Sequence, residues 1–234
     1  MNFWLDSAEV DGEQRAGGEV ATALFGAARG CDVFEQRILR FPGGGAERRD
    51  DERDEVLYVL AGSGAATVGR ELYELAPGTA VFVAAGTPWR VERSEGLCVL
   101  SVLVNAPAEA GGTHAVLSWG DRASATAGRQ FTLLATPEHG CASVTQFVGF
   151  IPAGRAPDHF HTYDEVVYVL EGEGALHIDG ESRPLHPGAC VHLPARLVHC
   201  LENFGPGEMQ VLGVFRPAGS PAEAYYPDGT KAVY

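Results

Sequence analysis

No stretch of this sequence is long and apolar enough to span a bilayer, which takes about 20 residues, and positive charge is scarce. Seventeen Lys and Arg stand against 31 Asp and Glu, a formal net charge of −14. A surface that acidic repels phosphate backbones and anionic lipid heads, so neither nucleic acid nor a membrane is expected as a partner. Cysteine is sparse: five residues, an odd number with no close-spaced pair, which argues against a disulfide framework and for a reducing compartment. The residues Met1-Asn2-Phe3-Trp4-Leu5-Asp6 lack the basic-then-apolar order of a secretory signal. A cytoplasmic protein is the expectation. Helical periodicity is missing too, with Ser7 to Ala28 the best of several poor candidates.

What the sequence has is apolar runs broken by turns. Hydrophobic residues make up 45% of it, and 30 Gly and 14 Pro are scattered among them. Short runs of Val, Leu, Ile, Phe and Tyr end every ~8 to 12 residues at Gly, Pro, Asp or Asn, as in an all-β sandwich or barrel.

The chain also repeats itself. Shifted by 110 positions, Asp54-Glu55-Val56-Leu57-Tyr58-Val59-Leu60-Ala61-Gly62-Ser63-Gly64 falls on Asp164-Glu165-Val166-Val167-Tyr168-Val169-Leu170-Glu171-Gly172-Glu173-Gly174. Pro42 meets Pro152, Pro77-Gly78 meets Pro187-Gly188, and Val104 and Pro107 meet Val214 and Pro217. About 30% of pairs are identical over roughly 75 residues without a gap, the mark of a duplicated domain. The reading is an N-terminal barrel over 1–107, a connection over 108–119, and a C-terminal barrel over 120–234. Asp179-Gly180 predicts a two-residue hairpin turn after His177-Ile178.

Ligand-type residues gather in the second copy. His159 and His161 are two apart, so on a strand both rings enter one face. Glu165 opens the next strand, and His199 follows one strand pair later. A lone His on a strand is ordinarily a packed or surface residue; three imidazoles and a carboxylate together suit one divalent transition metal per chain, Fe, Mn, Ni, Co, Cu or Zn.

This stretch resembles the cupin superfamily. The first motif runs from Gly154 through His159-Phe160-His161 and Glu165 to Gly172, and the second through Gly180, Pro187-Gly188, Pro194, His199 and Asn203. Arg196 stands where the second motif expects a Gly, a departure that concerns a turn. The resemblance implies two tandem jelly-roll (double-stranded β-helix) barrels, a bicupin, and gives the metal role to His159, His161, Glu165 and His199.

Carried back by 110, the ligands vanish: Arg49, Asp51, Glu55 and Trp89 occupy those places. Arg cannot ligate a metal and Trp offers only an N–H. Arg49, Asp51 and Glu55 are expected to form a compensated polar cluster inside this barrel, with the indole filling the ion's space. Two readings stand, a supporting half or an organic-anion pocket around Arg49 walled by Trp89.

Strand alternation from Glu165 predicts that Val167 and Val169 line the cavity, joined by Leu201, with Phe160 and Tyr163 near its mouth. The segment Ala224 to Gly229 covers a barrel edge or packs on a second subunit, which leaves a homodimer open. An apolar cavity around an ion, with no second general base, favours a dioxygenase-type oxidoreductase acting on a small organic or aromatic substrate. An isomerase, decarboxylase or lyase using the ion as a Lewis acid, and a non-catalytic small-molecule binder, are the alternatives.

Overall fold

The computed structural model describes residues 3–108 and 114–232. Among them strands dominate, and the helical elements are single 3-10 turns at Ser7–Glu9, Ala27–Arg29, Thr126–Gly128 and Pro137–His139. The stretch from Ser7 to Ala28 is not a helix: Glu13–Gln14 and Val20–Phe25 are paired strands. Between them Gly17 and Gly18 turn at φ 86° and 81°, a conformation no helix can contain. No helix among the described residues is long and apolar enough to cross a membrane.

Two compact units emerge, each holding one copy of the repeat. One is Glu9–Trp119 with Leu134–Val144; the other is Met1–Ala8, Gly120–Leu133 and Thr145–Tyr234. A division at 108–119 follows the repeat, yet short segments are traded across it. Trp4–Asp6 adds an antiparallel strand to Ala189–Leu193 of the C-terminal barrel. Ala115–Leu117, from the expected connection, does the same for Ala80–Val83 of the N-terminal barrel. Each addition pairs backbone groups that an open edge strand would leave bare. Residues 109–113 of the connection lie outside the described residues.

The C-terminal barrel is built of a seven-stranded and a four-stranded antiparallel sheet. Asp164–Glu171 lies between Ala189–Leu193 and Met209–Arg216 in the first; His199–Asn203 pairs with Gly174–Ile178 in the second. Side chains pointing inward close a core of Ile151, Val167, Val169, Leu176, Val191, Leu193 and Val211, all at most 4% exposed. In the N-terminal barrel the strands Arg53–Val68 and Trp89–Asn105 run unbroken, pairing along most of their length with three register shifts.

The repeated Gly-x-Gly has a local cause. Gly172 turns at φ 91°, and a Cβ on Gly174 would lie 1.9 Å from the Glu202 carbonyl oxygen; Gly62 and Gly64 show the same division, φ 74° and 2.4 Å from the Arg93 oxygen. The first Gly supplies a left-handed turn and the second a close backbone approach. Asp179 and Gly180 both take positive φ, 52° and 78°, between Ile178 and Glu181, which pair. That is the two-residue hairpin turn read from the sequence.

Candidate metal centre

Antiparallel bridging sets the first pair of rings. The backbones of His159 and His199 exchange two hydrogen bonds, 3.0 and 2.8 Å, which puts the imidazoles side by side, tilted by 53° with centroids 4.7 Å apart. His161, two residues on, presents its ring to the same side, 5.1 Å from His159 and 5.3 Å from His199. One ring nitrogen from each of the three lies within 4.8 Å of the others. Nitrogens about 2.1 Å from one ion are at most about 4.2 Å apart, a spacing of the same order as that of this cluster.

Which nitrogen faces inward is fixed by the shell behind. His159 Nδ1 donates to Pro157 O at 2.9 Å, His161 Nδ1 to Glu223 O at 2.7 Å, and His199 Nδ1 to Leu197 O at 2.9 Å. With Nδ1 committed to a carbonyl, Nε2 carries the free lone pair in all three. Burial pushes each ring below the usual imidazole range, His161 to about 3, reinforced there by the charge of His159. Tyr163 stacks on His161 at 4.7 Å and on Phe215 at 4.0 Å, clamping the third ring. Three neutral, oriented imidazoles are a donor set that fits a borderline divalent ion. Arg196, whose backbone N–H donates to His161 O at 2.7 Å, sits at φ 67°, as its repeat partner Gly86 does at 79°. The turn demands the left-handed conformation even where the sequence supplies Arg.

Glu165 is buried on the neighbouring strand, opposite Leu193 and Phe215. Its carboxylate is not among the donor atoms that lie within 4.8 Å of one another, so the structure brings three of the four expected ligands together and sets the fourth beside them. Space for it exists because residue 213 is Gly: a Cβ there would lie 2.7 Å from Glu165 Oε1 and 2.3 Å from the Phe147 ring. Burial pushes the Glu165 carboxyl up to about 8, against the pull of the Arg129 charge.

These shifts fix the sign of a pH dependence. Between pH 6.5 and about 3 the unfolded chain holds a proton at His161 that the folded chain refuses, so metal-free stability falls as pH drops through that window. Between 4.5 and about 8 the folded chain holds a proton at Glu165 that the unfolded chain has lost, so stability falls as pH rises. Melted in chelator from pH 5 to 8, Glu165→Gln is expected to lose less stability than the unaltered chain. Equal slopes would contradict the burial of that carboxyl.

A cavity of about 80 Å³ opens onto His199 and Glu165. Val167 and Leu201 line it, together with Phe131, Phe147, Phe150, Leu193 and the guanidinium of Arg129. Val169 packs in the core instead, and Phe160 stacks on Tyr225 at 5.6 Å. That stacking, with two backbone hydrogen bonds between the same residues, holds the terminal segment to its own barrel edge. Sequence reasoning missed Arg129 and the Phe residues because they lie on strands Gln130–Leu133 and Thr145–Ile151 or just before them, outside the motifs. His192, on the strand Ala189–Leu193, is buried but does not belong to the imidazole cluster.

The N-terminal barrel departs from the expectation. Arg49 and Asp51 form an ion pair outside it, with side chains 57% and 69% exposed. The bridge that matches His159 with His199 joins Arg48, not Arg49, to Trp89. A one-residue slip turns each side chain to the opposite face, so Arg48 points inward over Trp89 and Phe41, 5.3 and 5.9 Å from the rings, and pairs with the buried Glu19. Glu55 remains inside, but its partners are others: Arg37 Nη2 at 3.1 Å, Trp89 Nε1 at 2.9 Å, and the Ser101 hydroxyl. Phe147 and Val211 hold the places of Arg37 and Ser101 in the other copy. A guanidinium and an indole N–H therefore saturate the carboxylate that sits beside the imidazoles in the twin barrel.

Residues 38–104 and 146–215 match the family model of the cupin domain. Human 3-hydroxyanthranilate 3,4-dioxygenase is 33% identical over 102 residues, which are 44% of this chain and 32% of that one. Quercetin 2,3-dioxygenase from Bacillus subtilis is 36% identical over 80 residues, 30% of this chain and 24% of that one. The chain thus spans a third or less of the length of these two curated relatives. A putative glyoxylate induced protein from Pseudomonas aeruginosa superposes with a TM-score of 0.72 at 18% identity, over 92% of this chain and 82% of that one. This last likeness is one of fold.

Proposed function

The chain belongs to the cupin domain family, and we propose that its C-terminal barrel is the centre of a metal-dependent enzyme, a dioxygenase-type oxidoreductase acting on a small organic substrate. One observation carries the reading: three imidazoles, two buried and one half-buried, each with Nδ1 tied to a carbonyl, direct Nε2 to one point beside a buried carboxyl. His159, His161 and His199 would hold one divalent transition metal, with Glu165 placed to join them or to hold a proton next to them. Bound there with coordination positions open, such an ion supplies redox or Lewis-acid chemistry. The chain's own contribution is orientation and an apolar wall. Phe131, Phe147, Phe150, Val167 and Leu201 line the cavity with hydrocarbon, and beside such low-dielectric surface a charge acts more strongly than in open water. The names of the two curated relatives support oxygen chemistry, although only fragments of those proteins match. All five cysteines are free thiols, which fits a reducing cytoplasm.

A second reading, an isomerase, decarboxylase or lyase, is favoured by one feature of the wall: Arg129 places a cation where an anionic substrate oxygen would rest. Oxygen uptake by the iron-loaded protein across a panel of small acids, phenols and flavonols separates the readings. Uptake coupled to substrate loss is the expected result. Turnover without oxygen would replace the dioxygenase by the second reading, and no turnover would leave a metal-containing binder.

A further inference from the structure

Arg129 differs from most arginines of this chain in forming no ion pair. Nη2 donates to Leu201 O at 2.8 Å, and among the described residues no carboxylate forms an ion pair with it. Leu201 stands two residues after His199 on the same strand, so this bond moors the guanidinium to the strand that carries His199. Its charge is felt at His159, His161, His199 and Glu165 alike. Apart from Gln130, Glu165 and His199, the rest of the wall is apolar. A cation held in such surroundings is costly unless an anion joins it.

The metal reading sharpens the imbalance. Three neutral rings, one carboxylate, one guanidinium and a divalent ion leave an excess of about two positive charges in the cavity. The cavity is also small. Its 80 Å³ is about half the ~150 Å³ that accommodates benzene in an apolar protein interior, so an aromatic ring does not fit without rearrangement of Phe131, Phe147 or Phe150. A guanidinium fork matches a carboxylate in two parallel hydrogen bonds.

We propose that Arg129 is a substrate-anchoring residue that selects a small aliphatic carboxylate, of about two to four carbons, for the cavity that opens onto His199 and Glu165. The proposal rests on the reading of this barrel as the functional one and narrows its substrate from small organic molecules in general to short-chain acids. Arg129 holds the carboxylate, and the remainder of the ligand reaches towards His199 and Glu165 across the apolar wall.

Titration calorimetry with propionate, propionamide and benzoate tests it, on the metal-loaded and the metal-free protein. Propionate is expected to bind at least tenfold more tightly than either its neutral isostere or the aromatic acid. Arg129→Gln is expected to weaken propionate at least tenfold and leave propionamide unchanged, while Arg129→Lys keeps part of the preference. Metal content, measured on the same samples, is expected to stay at the level of the unaltered chain in both variants. Propionate bound equally by the unaltered chain and Arg129→Gln would overturn the anchor, and benzoate bound as tightly as propionate would overturn the size class. A chain that carries no metal yet binds propionate through Arg129 would sink the metal reading and leave the anchor standing.

Discussion

His199→Ala is expected to lower bound metal at least tenfold, whereas Trp89→Phe leaves the metal-to-protein ratio at the level of the unaltered chain. The two residues are repeat partners, so the comparison isolates one barrel from the other. His199 supplies one of three converging nitrogens, and its Nδ1 is already spent on Leu197 O. Its loss removes a ligand outright, and even an outer partner of a ligand is worth about 10- to 100-fold in metal affinity. Trp89 can offer no lone pair, and its one N–H serves Glu55. Elemental analysis of both variants after the same loading and dialysis reads the difference. Equal loss from the two would mean that both barrels hold metal or that neither does so specifically.

The second large effect belongs to the N-terminal barrel. Arg37→Leu is expected to destabilise the protein by about 3–5 kcal/mol, the cost of stranding one member of a buried ion pair, or roughly ten degrees in melting temperature for a chain of this size. The side chains of Arg37 and Glu55 are 11% and 7% exposed, so water cannot take over for the lost guanidinium. Adding Glu55→Leu to that variant is expected to recover part of the loss, because removing both partners costs less than removing one. Metal content should not change in either. Thermal melting at neutral pH decides it: a shift for Arg37→Leu no larger than for Arg49→Leu, whose ion pair is exposed, would refute the role given to Arg37.

Much of this architecture can be read from residue order, because the repeat and the strand period are patterns in one dimension. The His-x-His pair, Glu165 and His199 stand out by type and spacing, and Asp179-Gly180 marks its hairpin. The one-residue slip that swaps Arg48 for Arg49 does not show: a gap-free comparison still aligns Glu55 with Glu165, and only backbone pairing reveals that Trp89 faces Arg48. Arg37 leaves a faint trace, a charged residue where the other copy has Phe147. Arg129 leaves none, since its place by the cavity depends on a bond to Leu201, 72 positions away. What escapes the sequence is therefore the set of arginines. Their long side chains act at a distance from the backbone positions that carry them.

The most direct measurement is an anomalous difference map from crystals of the metal-loaded protein, collected at the absorption edge of the bound element. A single peak per chain is predicted about 2.1 Å from the Nε2 atoms of His159, His161 and His199. A peak between Trp89 and Glu55, or none near the three imidazoles in protein shown to contain metal, would contradict the account.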